Sequence, residues 1–186
     1  MAKTGKYVTR GGDKLEFALA EFGVDVTGKV VADLGSHEGG FVDCLLQHGA
    51  ASVYSVDTSY GTFAWKLRQD ERVVVMERTN ALHVELPEQV DVVTIDVGWT
   101  KQGLILPHAI GLAKGGGVVL SLLKPQYEAE KDEVERGLVS PETARAIAGR
   151  VVEALAAKGI RVEQWAESPV RGGKGNCEFF LRINVE

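Results

Sequence analysis

The sequence predicts an α/β protein built on a doubly wound sheet of seven mostly parallel strands. Short apolar runs alternate with helical segments along most of the chain, which is typical of parallel strands covered on both faces. The last two apolar runs, at about 160–167 and 177–184, are separated only by a turn at 169–176. No helix fits between them, so we expect a C-terminal hairpin that adds one antiparallel strand.

Each element follows from a local pattern. The first helix starts at Gly12, where apolar residues recur at helical spacing through residue 22. Apolar runs at 30–34, 52–56, 73–76, 91–95 and 118–123 predict five strands, with helices at 41–48, 63–68 and 104–113 between them. The clearest helix has Ser140 as its cap and Pro141 at its first position, and it ends at Gly159.

The length and composition are those of a single globular domain. No repeat or proline-rich linker divides the 186 residues, so we expect one domain at 12–186 after a basic lead-in at 1–11. Cys44 and Cys177 lie in apolar segments and predict reduced, buried thiols in a cytoplasmic protein. No leader peptide or apolar run of about 18 residues is present, and the histidines lack metal-ligand spacing. We therefore expect no membrane association and no metal site.

A glycine-rich loop follows the first strand. Gly35, Gly39 and Gly40 depart from the spacing of the dinucleotide fingerprint, so a nicotinamide cofactor fits poorly. Asp33, at the end of the strand, suits the ammonium group of a methionine-type cofactor better than a pyrophosphate. The predicted cofactor residues of this loop are Asp33, Gly35, Ser36, His37, Gly39, Gly40 and Phe41. The alternative is a loop whose glycines serve packing alone.

Two polar residues follow the next two strands. Asp57 lies 22 positions after Gly35, where an acid can accept both hydroxyls of an adenosine ribose. Asn80 follows the third strand and can bond an adenine edge, or it can only cap its turn. Together with the glycine loop they favour a nucleoside cofactor. Such a cofactor, in parallel units ending in a hairpin, indicates the methyltransferase variant of the doubly wound, Rossmann-like fold.

Four charged residues are expected at one edge of this sheet. Asp96 and Lys124 end the fourth and fifth strands, and Glu178 begins the last one, which runs the opposite way. Lys14 lies in the first turn of the first helix, which can fold back over that edge. Each taken alone can be a solvated rim residue. Their joint placement predicts a reactive site beside the cofactor.

Several motifs resemble the methyltransferase domain of the TlyA (haemolysin A) family, a branch of the FtsJ-like RNA 2′-O-methyltransferases. The motifs are 7–16 (YVTRGGDKLE), 39–46 (GGFVDCLL), 56–57 (VD), 65–68 (WKLR), 77–80 (ERTN), 123–126 (LKPQ) and 175–179 (GNCEF). The resemblance covers nearly the whole chain. It implies S-adenosylmethionine as the cofactor and cytidine ribose methylation in ribosomal RNA. It also implies a catalytic tetrad of Lys14, Asp96, Lys124 and Glu178.

The role of Lys124 within this tetrad has two alternatives. To draw the proton from a ribose hydroxyl it must be neutral, which needs a pKa well below the roughly 10.4 of a free lysine. Burial and a cationic cofactor lower its pKa, whereas Asp96 and Glu178 raise it. If the carboxylates prevail, Lys124 stays protonated and orients the hydroxyl instead.

RNA is a polyanion, whereas the chain carries a net charge of −5, so contact with RNA must depend on local groups of basic residues. Two basic spots oppose this average. The first includes Lys3, Lys6 and Arg10, and the second contains Arg171 and Lys174. From the resemblance we also expect the chain to lack the family's small N-terminal RNA-binding domain. We therefore expect contact with ribosomal RNA or a ribosomal subunit through Lys6, Arg10, Arg171 and Lys174, or through a separate targeting partner.

The sequence departs from the family pattern at two places, and it leaves open both the structure of one charged stretch and the function. The cofactor loop has His37 and Glu38 where the family has small residues, and Gly98-Trp99 replaces its Ser-Phe. The charged stretch 128–136 follows the fifth strand and is either a mobile flap over the RNA side or a solvated helix. The competing functions are methylation of a non-RNA substrate and a non-catalytic cofactor-binding module. A pore-forming haemolysin lacks any supporting amphipathic cationic segment.

Overall fold

A computed structural model describes residues 5–186 and contains one seven-stranded sheet. Lys3, part of the first basic spot, lies outside the described residues. The strands are β1 (Val30–Leu34), β2 (Ser52–Val56), β3 (Val73–Met76), β4 (Val90–Ile95), β5 (Ala113–Leu123), β6 (Gln164–Glu167) and β7 (Phe179–Asn184). The helices are α1 (Gly11–Phe22), α2 (Gly40–Gln47), α3 (Trp65–Arg68), α4 (Gln102–Leu112), α5 (Pro125–Glu128) and α6 (Pro141–Ala157).

The strand order is β3-β2-β1-β4-β5-β7-β6, and β7 alone runs against its neighbours. The predicted fold class, including the hairpin and its one antiparallel strand, is therefore confirmed. Sheet register brings distant residues together at the carboxyl edge. Leu34 pairs with Ile95, so the glycine loop and Asp96 leave the sheet side by side. Leu123 pairs with Phe179. Lys124 and Glu178, each one residue beyond this pair, therefore lie together at the same edge of the sheet.

The predicted boundaries differ from the structure mainly at β5. The sequence places the end of a helix at Ala113, but the structure begins a strand there and pairs it with Val90 of β4. A register shift between Val90 and Val92 absorbs the glycines at 115–117, where Gly116 has φ of 79°. Glycine-rich segments in strands commonly form such bulges. The final two strands are shorter than predicted, and Glu178 immediately precedes β7.

Two apolar clusters cover the two faces of the sheet, as expected for a doubly wound fold. One contains residues of α4 and α6, with Ile105 and Ile147 fully buried. The other contains residues of α1 and α2, including Leu15 and Leu45. Tyr7 of the lead-in belongs to this second cluster, and its ring occupies the space that a Cβ at Gly12 would need. The segment before α1 is thus packed against the fold.

The charged stretch after α5 is not a continuous helix. It contains a 3-10 turn at Lys131–Glu133, followed by a pair of bridged residues, Glu135 and Leu138. The guanidinium of Arg150 on α6 binds both carboxylate oxygens of Glu133, at 2.7 and 2.8 Å. Mobility of this stretch stays a prediction. Within residues 5–186, no helix has both the length and the apolar character needed to cross a membrane.

Candidate active site

A cleft of about 680 Å³ opens at the carboxyl edge of the sheet. The loops that leave β1, β2, β3, β4 and β5 all contribute to its wall, together with the start of α1. This is the edge at which ligands bind in open α/β sheets, and the volume lies in the range of small-ligand sites. The predicted residues in the wall are Arg10, Lys14, Gly35, Ser36, His37, Gly40, Phe41, Asp57, Asn80, Asp96 and Lys124.

The glycine loop is shaped by close backbone contacts. Gly35 has φ of 92°, and a Cβ there would lie 2.6 Å from the carbonyl oxygen of Asp96. A Cβ at Gly40 would overlap the side chain of Thr9. Only glycine allows the loop to lie this close to β4 and to the lead-in. Packing therefore accounts for these two glycines, and the loop still forms one wall of the cleft.

Asp33 is predicted to bind cofactor, but the structure places it beneath the loop rather than in the cleft wall. Its side chain is fully buried, and its Oδ1 accepts a hydrogen bond from the Thr94 hydroxyl at 2.7 Å. Its Oδ2 has no hydrogen-bond partner among residues 5–186. Burial raises the pKa of Asp33 to about 7, with a smaller contribution from nearby Asp96. A buried carboxyl group with one unused oxygen thus underlies the loop.

Asp57 is held in place by two backbone N–H groups. His37 donates to its Oδ2 at 2.8 Å, and Ser59 donates to its Oδ1 at 2.7 Å. Burial raises the pKa of Asp57, but the hydrogen bonds from Ser59 and His37 outweigh it, so the pKa is below its usual value. A carboxylate oxygen has two lone pairs, which leaves acceptors for ligand hydroxyls. His37 has φ of 48° in this arrangement.

Asn80 caps its turn and also lies in the cleft wall. Its Oδ1 accepts the backbone N–H of Leu82 at 2.9 Å, which caps the turn after β3. The residue also lines the cleft beside Asp57 and Thr79. Gly39, in contrast, lies outside the wall, and a Cβ there would meet Leu67 at 2.5 Å. Gly39 is predicted to bind cofactor, but the structure places it away from the cleft wall, and its close contact with Leu67 accounts for a glycine there.

The four charged residues form two ion pairs. Lys124 Nζ lies 2.5 Å from Asp96 Oδ1, and Lys14 Nζ lies 2.6 Å from Glu178 Oε2. Three of the four line the cleft, whereas Glu178 is 3% exposed and reaches it only through Lys14. The sheet edge thus brings the tetrad together as two lysine–carboxylate pairs.

Lys124 retains its proton in the free protein. Burial lowers the pKa of Lys124, but attraction to Asp96 and to Glu178 outweighs this effect, and the pKa is raised above its ordinary value. Its ammonium group also donates to the carbonyl of Val97 at 3.2 Å. Of the two alternatives for Lys124, a hydrogen-bond donor that orients a substrate therefore fits this state of the site.

From the sequence, Trp99 stands out only because Gly98-Trp99 replaces the Ser-Phe of the TlyA family. Its side chain is 86% exposed, it lines the cleft, and its ring centroid lies 4.8 Å from that of Tyr127. It also has φ of 62°, which is uncommon for a bulky residue. An aromatic residue four positions after the end of β4 was the available signal.

The predicted RNA-contacting residues divide into two groups. Lys6 is paired with Glu16, and Arg171 lies 3.3 Å from Glu167 and in close contact with the Cys177 thiol. Arg10 and Lys174 are exposed and make no ion pair within residues 5–186. Arg10 lines the cleft, and Gly173 brings the loop containing Lys174 to its rim. Free positive charge therefore lies at the mouth of the cleft.

The sheet order, the loops around the cleft and the acid after β2 together define an S-adenosylmethionine-dependent methyltransferase. The chain belongs to the FtsJ-like methyltransferase family, whose model matches residues 7–185. This confirms the resemblance identified from the motifs. A crystal structure described as a proposed hemolysin from Lactococcus lactis superposes with a TM-score of 0.90 at 38% identity, covering 97% of this chain and 89% of that one.

Curated relatives are similar over almost the whole chain. YqxC of Bacillus subtilis, a proposed rRNA methyltransferase, is 44% identical over 96% of this chain and 66% of its own length. Hemolysin A of Brachyspira hyodysenteriae is 36% identical, over 97% of this chain and 78% of its own. The 16S/23S rRNA (cytidine-2′-O)-methyltransferase TlyA of Mycobacterium tuberculosis is 38% identical, over 97% and 69%. The chain thus spans about two thirds to four fifths of these proteins.

Proposed function

We propose that this chain methylates a ribose 2′-hydroxyl of ribosomal RNA and that cytidine is the modified nucleotide. The single observation that carries the proposal is the pair of lysine–carboxylate contacts at one side of the cleft, Lys124–Asp96 and Lys14–Glu178. A methyltransferase that only had to bind a small neutral acceptor would not need two partly buried, carboxylate-paired lysines in the cleft wall. The relative TlyA, named for cytidine-2′-O methylation of 16S and 23S rRNA, supports the choice of nucleotide.

The chain's own residues fit S-adenosylmethionine. The ionised Asp57 can accept the ribose hydroxyls of an adenosine, and Asn80 lies beside it for the adenine edge. The backbone from Gly35 to Gly40 can lie against the methionine portion, above the unused Oδ2 of Asp33. When bound, the cofactor supplies a methyl group on a sulfonium, ready for in-line displacement.

The tetrad orients the acceptor and takes up its proton. The Lys124 ammonium donates a hydrogen bond to the 2′-oxygen and directs a lone pair at the methyl carbon. The hydroxyl proton would pass to the Asp96–Lys124 pair and then to solvent, while the bound cofactor would supply the methyl group for the new O–CH₃ bond and leave as its neutral thioether. The positive sulfonium of a bound cofactor would lower the pKa of Lys124 and so would assist proton transfer through the Asp96–Lys124 pair. Lys14 holds the neighbouring ribose or phosphate oxygens, with Glu178 fixing its position.

The rim of the cleft suits a nucleotide. The exposed indole of Trp99 offers a flat surface for a base, because single-stranded RNA bases commonly stack on aromatic side chains. Arg10 and Lys174 supply free positive charge for phosphates. Since Lys6 and Arg171 are already paired, we propose that a folded ribosomal subunit or a targeting partner provides the remaining affinity.

Two free, buried cysteines support a cytoplasmic location for the domain at 12–186.

Transfer of labelled methyl groups to intact ribosomal subunits tests this proposal. Label should enter rRNA, resist alkaline hydrolysis at the modified linkage, and be recovered as 2′-O-methylcytidine after nuclease digestion. Protein-free rRNA and tRNA serve as comparison substrates. Label recovered on a base, on ribosomal protein or in a small molecule would replace the ribose assignment. No transfer despite tight cofactor binding would favour the non-catalytic module.

A further inference from the structure

Asn176 lies in the loop before β7, outside the cleft wall, and is only 4% exposed. Both polar ends of its side chain bind the backbone of another segment. Its Oδ1 accepts the N–H of Val139 at 2.9 Å, and its Nδ2 donates to the carbonyl of Gly137 at 2.9 Å. A buried amide whose donor and acceptor are both used fixes two segments relative to each other.

The segment bound by Asn176 is a tight turn. Glu135 and Leu138 exchange backbone hydrogen bonds of 2.9 and 2.8 Å. Between them, Arg136 and Gly137 have φ of 51° and 82°, as in a type I′ turn. A Cβ at Gly137 would lie 3.0 Å from Lys174 Nζ, so this turn lies against the loop that contains Asn176.

The other side of the same loop lies against the buried carboxylate of the tetrad. The carbonyl of Asn176 accepts the N–H of Gly172 at 3.0 Å, which closes the loop on itself. A Cβ at Gly172 would lie 2.5 Å from Glu178 Oε1. The shape of the loop therefore limits where the Glu178 carboxylate can lie, and Glu178 in turn binds Lys14 at 2.6 Å.

We propose that Asn176 is a positioning residue: it fastens the 135–139 turn to the 172–176 loop and thereby keeps Glu178 against Lys14. Its side chain lies outside the wall of the cleft. The kinetic part of this proposal rests on the proposed function, whereas the structural part does not. Removing the amide should loosen the turn and the loop together and lower the rate of transfer, while the cofactor wall formed by the loops after β1, β2 and β3 is unchanged.

The test compares Asn176→Ala with Asn184→Ala by hydrogen exchange and by kinetics. Asn184 is an exposed asparagine at the other end of β7 whose side chain accepts a hydrogen bond from Arg182, so its loss matches the chemical change away from the loop. In Asn176→Ala, exchange at the Val139 and Gly172 amides should rise at least about 10-fold, since one or two buried hydrogen bonds are lost. We expect kcat to fall by about 10-fold or more, with cofactor Kd within about twofold.

Two further variants separate the effect on the loop from general instability. Asn176→Asp nearly keeps the side-chain volume but sets a carboxylate oxygen against the Gly137 carbonyl, so exchange at Val139 should rise although no cavity is left. Gly172→Ala keeps the Asn176 bonds but presses a methyl group on Glu178, so kcat should fall while exchange at Val139 stays at the wild-type rate. Gly172→Ala therefore tests the link between the loop and Glu178 even if Asn176→Ala does not fold.

The outcomes distinguish this inference from the proposed function. Wild-type exchange at Val139 and Gly172 in Asn176→Ala would overturn the fastening role. Raised exchange with unchanged kcat would overturn the link to Glu178, as would full activity of Gly172→Ala. If the wild-type protein methylates no RNA, the proposed function fails, and the exchange measurement still decides whether Asn176 joins the two segments.

Discussion

Glu178 Oε2 lies 2.6 Å from Lys14 Nζ, with the carboxylate 3% exposed and the lysine side chain 11% exposed. The lysine lines the cleft and the carboxylate does not. The two residues are 164 positions apart, and sheet register together with the fold of α1 brings them into contact. A buried charge is tolerated only when it is paired, so each residue of this pair constrains what can replace the other.

Glu178→Gln should cost both stability and activity. It leaves the Lys14 ammonium buried without its counter-charge, and breaking a buried pair in this way costs about 3–5 kcal/mol. Denaturant unfolding of the cofactor-free protein measures this loss. In the double variant Lys14→Met with Glu178→Gln, most of the stability should return because no charge remains unpaired, but methyl transfer should stay low. A stable and fully active Glu178→Gln would contradict a role for the pair.

Lys124→Ala should abolish transfer without weakening cofactor binding. The side chain lies beside Asp96, whereas the expected adenosine contacts are Asp57 and Asn80 at the other strand ends. Transfer to an accepted RNA should fall by at least the roughly 10²-fold expected for a positioned acid–base group.

Asp96→Ala should be similarly inactive and bind cofactor less tightly, and Lys14→Ala should affect mainly transfer. Lys114→Ala, which breaks an exposed pair with Asp91, is the control. Wild-type transfer by Lys124→Ala would exclude the mechanism.

The sheet and the strand-end residues could be predicted from the sequence because parallel α/β units impose few choices. Once strands are placed in order, residues such as Asp96 and Lys124 must leave the same edge. The family motifs then indicated which of these charged residues belong together, and the structure pairs them as Lys124 with Asp96 and Lys14 with Glu178. The same logic placed Asp57 and Asn80 in the wall.

Details that depend on side-chain direction could not be predicted. Asp33 lies on β1 as predicted, and its register partners on β2 and β4 are Ser55 and Thr94. Its side chain is buried and bonded to Thr94, whereas the prediction had it facing the cofactor. Trp99 and Asn176 were missed for another reason: one depends on a positive φ, and the other on a contact 37 residues away. Neither leaves a periodic pattern in the sequence.

Asp57→Ala should abolish binding of S-adenosylmethionine. Asp57 fixes the loop through His37 N–H and presents its remaining lone pairs to the cleft. Calorimetry on the wild-type protein should give a micromolar-range Kd for S-adenosylmethionine and negligible binding of NAD. Asp25→Ala is a matched control, because Asp25 also accepts a backbone N–H two residues on but is exposed and far from the cleft wall. Equal or tighter binding of NAD would contradict the cofactor assignment.

Asp33 should make the cofactor-free protein less stable as the pH rises. Burial raises its pKa to about 7, whereas an unfolded aspartate titrates near 3.9. Between about pH 4 and pH 7 the folded state therefore holds a proton that the unfolded state has lost, and stability falls across this window. Asp33→Asn should remove this effect. It should raise the melting temperature at pH 8 and leave it nearly unchanged at pH 4.

The control for this pH effect is Asp132→Asn, which changes an exposed aspartate on the 3-10 turn. Its melting temperature should follow that of the wild type at both pH values. The hydrogen bond from Thr94 to position 33 is kept in Asp33→Asn, because an amide oxygen still accepts it. An equal shift of melting temperature at pH 4 and pH 8 would show that altered packing, not titration, is responsible.

The charged stretch 128–136 should behave as a flap that closes on RNA. It is fastened at Glu128, which accepts the N–H of Gln102 at 2.6 Å, and at Glu133 through the exposed Arg150. Exposed ion pairs contribute little, so the second attachment can open. Hydrogen exchange at 129–134 should be fast in the free protein and slow with cofactor and RNA, whereas Glu135 belongs to the turn held by Asn176 and should stay protected. Arg150→Ala should raise exchange at 129–134 and raise KM for RNA several-fold at unchanged cofactor Kd. Arg145→Ala, which breaks the pair with Glu167 on the same helix, should leave exchange at 129–134 unchanged. Strong protection in the free protein, unaffected by either ligand, would show that the stretch is a fixed part of the fold.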